Sequence, residues 1–240
     1  MKHNTLKYFL MAALFSLIVC CAVGLRSQPN SNVQDLKEIH SKHFIYGIPL
    51  GTPPTNDLII RDIYALSNND STKFADWVAY RLDSETVKGK AKTNRVWKAD
   101  PWLAKEETLE PADYNGANKA LKTDRGHQAP PASFKGTKHW NQTNYLSNIT
   151  PQKSNLNQYP WKKLEKKVRN FAMARNTVYV LTGPLYEKDM PKLPGADENH
   201  KIPSGYWKII IYQDNSNDPN TLRTPAFIFP QDTPKGAKYR

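Results

Sequence analysis

The sequence predicts an α+β fold: a mixed or antiparallel β-sheet core with flanking helices. Three observations carry this expectation. Several short runs rich in β-branched and aromatic residues are bounded by turn-forming residues. One segment, 161–172, repeats apolar residues at three- and four-residue steps, with lysines on its other side. The 240 residues contain no internal repeat and no low-complexity tract, so strands and helix belong to one body of ordinary domain size.

Residues 1–24 read as an export signal. Lys2, His3 and Lys7 form a positive start, Tyr8 to Val19 is apolar, and Ala22-Val23-Gly24 has the small-x-small form of a cleavage site. The expected location is secreted or periplasmic, with no stable membrane association once the signal is removed. A retained anchor is the alternative, and a lipoprotein at Cys20 is disfavoured by the bulky Val19 before it. Cys20 and Cys21 are the two cysteines of the chain, so cleavage after Gly24 leaves none for disulfides. Residues 25–44 are polar and turn-rich, a flexible lead-in. The globular domain is expected over 45–240.

Within it, Leu58 to Leu66 and Trp77 to Leu82 read as strands. From Lys98 to Asn118 the chain is rich in Pro, Asp and Asn and reads as a loop. Pro130 and Pro131 bar a helix just after His127. In the helix at 161–172, Trp161, Leu164, Val168 and Phe171 mark the buried face, and Lys162, Lys163, Lys166 and Lys167 the wet one. Pro160 fits best in a first turn, which places Asn157 at or just before the helix N-terminus. Thr177 to Leu181, Tyr206 to Tyr212 and Ala226 to Phe229 complete the strands.

Lys and Arg number 34 against 22 Asp and Glu, a net charge of +12. Such an excess suits a polyanionic partner, because cations that neutralise phosphates release condensed counterions. Charge alone does not establish one.

The most specific chemistry lies in Asp124-Arg125-Gly126-His127-Gln128 and, about 30 residues on, Leu156-Asn157-Gln158 with Trp161, Leu164 and Glu165. Imidazole titrates near neutrality, so His127 is suited to take a proton from water. Gly126 lets the backbone approach a neighbour closely. The amide oxygen of Asn157 is a hard neutral donor of the kind that suits Mg²⁺, an ion that keeps most of its water. Glu165 follows eight residues later, about 12 Å along a helix axis. Arg95 and Arg169 offer guanidinium groups that match phosphate oxygens. Taken singly, each has a plainer reading: a structural histidine, a capping asparagine, a solvated glutamate, surface arginines. His40 and His43 are too weak a signal for zinc. Serine-hydrolase and P-loop motifs are absent.

These residues resemble a known family. Residues 123–130 (TDRGHQAP), 144–157 (NYLSNITPQKSNLN), 182–187 (TGPLYE) and 233–237 (TPKGA) are similar to the DNA/RNA non-specific endonucleases, of ββα-metal (His-Me finger) architecture. The resemblance spans roughly residues 46–237. It implies His127 as general base, Asn157 as the one direct protein ligand of a Mg²⁺ ion that Mn²⁺ can replace, and Glu165 holding one of that ion's waters. Arg95 would contact the phosphate and stabilise the transition state. Arg125, Asn144, Asn148 and Arg169 would support substrate binding. The implied substrates are DNA and RNA, single- or double-stranded, cut to 5′-phosphate products, and a homodimer and an inhibitor protein are compatible with it. Two departures stand out. No disulfide is available, and family members usually continue past the 233–237 segment, whereas this chain ends at Arg240. The competing expectations are therefore a catalytically impaired nucleic-acid binder and an enzyme confined to one polymer.

Overall fold

The computed structural model describes residues 41–238 except 91–93, 175–176 and 216–217; the expected signal at 1–24 and the lead-in up to residue 40 lie outside the described residues. Its first lesson is at the run expected to be one strand from Leu58 to Leu66. The chain makes two, β1 (Asp57–Ile60) and β2 (Ala65–Asn69), paired as an antiparallel hairpin. The turn between them is closed by the Arg61 N–H donating to the Tyr64 carbonyl at 2.8 Å. Arg61 breaks the strand because its side chain is buried in an ion pair with Asp100, 39 residues away, under the ring of Trp102.

The hairpin continues into β3 (Phe74–Leu82), where Asp83 caps a short helix α1 (Ser84–Val87) by accepting from the Thr86 N–H at 2.9 Å. The expected loop from Lys98 to Asn118 is not structureless. It holds two 3₁₀ turns, Lys105–Glu107 and Pro111–Tyr114, and the start of helix α2 (Ala117–Leu121). A second hairpin follows, β4 (Thr123–His127) with β5 (Ile149–Lys153). The chain then passes through one α-turn (Ser154–Leu156) and one wide π-turn (Asn157–Trp161) into helix α3 (Lys162–Ala174). Asn157 therefore does not sit at a helix start as expected. Pro160 is accommodated inside the wide turn, which tolerates a missing N–H donor, and the helical run begins three residues before Asn157.

β6 (Val178–Leu185), β7 (Gly205–Gln213), β8 (Leu222–Arg223) and β9 (Ala226–Pro230) finish the chain. The main sheet runs β1-β2-β3-β6-β7, with β8 and β9 both pairing to β7, and every pairing is antiparallel. β4 and β5 form a separate two-stranded sheet. The architecture is α+β, as the sequence predicts.

The core explains where the site sits. Trp161, Leu164, Val168 and Ala172 bury one face of the helical run against Tyr80 of β3, Val178 and Val180 of β6, and Tyr206 and Ile210 of β7. The helix is thereby fixed on the sheet, and its neighbouring face carries Glu165 and Arg169. Leu146 and Ile149 anchor the second hairpin in another cluster with Phe74, Leu109 and Tyr114. The opposite face of the main sheet meets the first described residues: Phe44 stands edge-on to Trp77 at 6.0 Å, and Tyr46 to Tyr179 at 5.4 Å. His43 and Phe44 are buried, so packed structure begins before residue 45.

Candidate active site

β4 and β5 pair with Gly126 opposite Thr150 and His127 opposite Ile149. A Cβ on Gly126 would lie 2.6 Å from the Gln152 Cβ and 2.8 Å from its Oε1, so no larger residue fits there without displacing the partner strand. Next to it, Arg125 donates from Nη2 to the Pro111 carbonyl at 2.9 Å, with Trp97 and Tyr114 rings 5.4 and 5.2 Å from its guanidinium.

His127 is oriented by a single side chain. Its Nε2 lies 3.2 Å from the Asn144 Oδ1. An amide oxygen only accepts, so Nε2 carries the proton and Nδ1 presents its lone pair. The Trp97 ring lies 5.3 Å away. Burial lowers the imidazole pKa to about 4; the Asn144 bond acts against this and the Arg95 charge adds to it. The ring is thus neutral, as a proton acceptor must be. Asn144 and Asn148 were expected to support substrate binding, and both are buried. Asn144 holds His127. Asn148 accepts from the Ala129 N–H at 2.8 Å and donates to the Ala129 and Thr143 carbonyls at 3.0 and 2.8 Å, which ties the chain after β4 to the chain before β5. Neither lines the cavity described below.

Asn157 is positioned from across the gap. Its Nδ2 donates to the Asp124 Oδ2 at 2.9 Å, and the same oxygen accepts from Gln158 Nε2 at 2.9 Å. The other Asp124 oxygen accepts from Ser154 Oγ at 2.7 Å and Asn118 Nδ2 at 3.3 Å. A carboxylate accepts only, which settles which end of the Asn157 amide faces it. The amide oxygen is left as the group to offer a cation.

One turn beyond the wide turn, Glu165 lies 3.8 Å from the Arg169 guanidinium, and the two side chains are only 12% and 16% exposed. Burial raises the Glu165 pKa, while Lys208 and Arg169 oppose that rise. Lys208, on β7 beneath the helix, has no exposure. Arg95, Arg125, His127, Asn157, Glu165 and Arg169 all line one cavity of about 250 Å³. A neighbouring hollow shares Arg95, Arg125, Asn157 and Gln158 with it and adds Trp97 and Tyr114. The structure thus brings together six of the eight residues singled out in the sequence and puts the other two behind them. Lys208 escaped the sequence reading. The signal was there: in the alternation Tyr206, Lys208, Ile210, a lysine occupies a core-facing position.

Two antiparallel strands leading into a helix, with an imidazole on the first strand and an amide on the helix, form the ββα arrangement of a class of metal-using nucleases. The chain belongs to the DNA/RNA non-specific endonuclease family, whose model matches residues 40–240. It is a hydrolase of nucleic acid. A nuclease of Serratia marcescens is 52% identical over 196 residues, covering 80% of this chain and 71% of that protein. A nuclease of Nostoc is 33% identical, covering 85% and 73%. Human mitochondrial endonuclease G is 31% identical, covering 68% and 57%. The crystal structure of an EndoG/EndoGI complex has the same fold, with a TM-score of 0.63 at 24% identity over 87% of this chain and 85% of that one.

Proposed function

We propose that this chain is an exported, Mg²⁺-dependent endonuclease that cuts DNA and RNA alike by activating water at His127. The observation that supports it most is that His127, Asn157 and Glu165 face one cavity with three arginines at its wall. The residues suit a hard divalent cation. Asp124 claims the nitrogen of Asn157, so the amide presents oxygen, and a site with few protein oxygens matches an ion that retains water. When bound there, such an ion supplies a Lewis acid that steadies negative charge on the phosphate and leaving oxygens.

The chain's own residues do the rest. Nδ1 of His127 takes a proton from the attacking water, and Asn144 holds the ring at the angle this needs. Arg95 binds a phosphate oxygen and stabilises charge as it builds in the transition state. Glu165 keeps a carboxylate at the cavity wall to hold water on the metal side, and Arg169 fixes its rotamer. Recognition through phosphate carries no base or sugar information, which accounts for indifference to sequence and to the 2′-hydroxyl. The products are 5′-phosphate and 3′-hydroxyl ends. Mn²⁺ is the expected substitute metal, and the signal read in residues 1–24 supports export.

Digestion of plasmid and of RNA by purified protein tests this. Both are expected to be degraded with Mg²⁺ and spared with EDTA, and His127→Ala is expected to lose at least about 100-fold in kcat with an unchanged fold. Undiminished cleavage by His127→Ala would remove that residue as the base.

A further inference from the structure

The mechanism above leaves unused a charged group buried beneath the site. Lys208 lies in the middle of β7, paired with Thr182 of β6 on one side and Phe227 of β9 on the other. Its side chain points into the main core and has no exposure. Among the described residues its Nζ meets one hydrogen-bond partner, the Tyr80 hydroxyl, at 3.5 Å. The Nζ sits 4.4 Å from the centre of the Trp161 ring and 5.8 Å from that of Tyr80.

An ammonium ion in such a place is expensive. A long, weak bond and two aromatic faces do not replace its water shell. Replacing a buried charge together with its partner by apolar residues of similar volume often costs the fold nothing. Stability alone therefore does not account for a lysine here. What does is a carboxylate on the same helical run as Trp161. Glu165 follows Trp161 by one helical turn on the element packed over Lys208, and it is nearly buried too. We infer that Lys208 is a positioning residue: its buried ammonium, seated under Trp161, is the counter-charge that fixes the Glu165 carboxylate at the wall of the active-site cavity.

The charges around the pair support this. Burial lowers the Lys208 pKa to about 8, and the Glu165 carboxylate acts in the opposite direction. On the Glu165 side, burial favours the neutral acid, with Lys208 the largest opposing influence, ahead of Arg169 and Lys162. Tyr80, from β3, has its own ionisation suppressed by burial and stays a neutral neighbour. Arg169 shares the cavity wall with Glu165, while Lys208 lies wholly buried under Trp161. Lys208 does not line the cavity, so its charge stays directed at Glu165 whatever occupies that space.

This inference rests on the role given to Glu165 above, and the experiment separates the two. Lys208→Met, Lys208→Arg, Glu165→Gln and the double variant Lys208→Met/Glu165→Gln are assayed on a defined duplex across pH, with melting temperature recorded for each. Lys208→Met is expected to melt lower than the parent and than the double variant, because it leaves the Glu165 carboxylate nearly buried without its counter-charge. Its kcat is expected to fall about 10- to 100-fold at little change in KM, and the acid limb of its kcat profile to move to higher pH, because Glu165 protonates more readily without its counter-charge. Lys208→Arg restores the charge and is expected to return that limb towards the parent position. On the Glu165→Gln background, Lys208→Met is expected to cost nothing further. A normal kcat and pH profile in Lys208→Met, or a full additional loss in the double variant, overturns the inference while leaving Glu165 in place. A fully active Glu165→Gln overturns the role of Glu165 itself. If Lys208→Met does not fold, the lysine Nζ is titrated by NMR in the parent and in Glu165→Gln. Loss of the carboxylate is expected to lower its pKa, and an unmoved titration sinks the pairing.

Discussion

Asp124 carries more of this site than its place in the motif suggests. Four donors from α2, the α-turn and the wide turn converge on its two oxygens, and one of them is the Asn157 amide. In Asp124→Ala that amide loses the partner that fixes its orientation, Gln158 loses its own, and Ser154 keeps only the Lys122 carbonyl and the Asn118 amide. The Mg²⁺ concentration for half-maximal activity is expected to rise about 10- to 100-fold, with His127 unaffected. A titration of activity against Mg²⁺ checks this, and an unchanged curve would separate Asp124 from metal binding. At this scale the sequence was informative where residue type dictates chemistry. His127, Asn157 and Glu165 stand out because few residue types suit those purposes and they cluster in two short stretches, while Arg95 lies apart from both. The roles of Asn144 and Asn148 were not legible. An asparagine facing substrate and one stitching two loops together look the same until the Ala129 and Thr143 backbone groups are in view.

Among the elements, the wide turn at Asn157–Trp161 has the greatest effect on the site. In an uninterrupted α-helix, position 165 lies about 80° round the axis from position 157, since eight residues at 3.6 per turn overshoot two turns. A wider turn takes more residues per revolution and removes part of that offset, which brings both side chains to one cavity. Deleting Tyr159, which is exposed, would close the turn to ordinary α-helix with seven residue steps from Asn157 to Glu165, about 20° short of two full turns, whereas adding one alanine after Tyr159 would move Asn157 by roughly 100° relative to the anchored α3. The deletion is expected to keep Mg²⁺-dependent cleavage and the insertion to lose it, both with far-ultraviolet circular dichroism unchanged; cleavage retained by the insertion would mean the turn is incidental. The sequence showed the helix through its apolar period but hid the turn, because Pro160 reads more simply as a first-turn residue. It hid the β1–β2 corner for a related reason. The partner that buries Arg61 is Asp100, and no local pattern announces a contact 39 residues long.

Across the whole molecule, two histidines make stability depend on pH. Burial lowers both His43 and His127 from 6.5 to about 4. The unfolded chain takes up protons at these rings below about pH 6.5 and the folded chain does not. Their contribution to stability is therefore complete above that pH and is lost as pH falls towards 4. Each ring accounts for about 1.4 kcal/mol per pH unit inside the window. Buried carboxyls with raised pKa, such as Asp113, act with the opposite sign near the acid end. Urea unfolding at pH 6.5 and pH 5 is expected to show this loss, and a smaller one in His127→Ala. Equal losses in the two proteins would show that the His127 ring titrates normally. The α+β class was legible at this scale from strand-like runs and one amphipathic helix. The separation into a main sheet and a two-stranded sheet was not, because pairings such as Val78 with Thr182 span about a hundred residues and leave no local trace.

Those long pairings also govern when danger begins. Every group at the cavity has been synthesised once Arg169 has left the ribosome, yet the sheet on which α3 rests still lacks Val178–Leu185 and Gly205–Gln213. A half-made chain carries the blade without the handle. The cavity thus gains its support only when the last long strands have been made and paired.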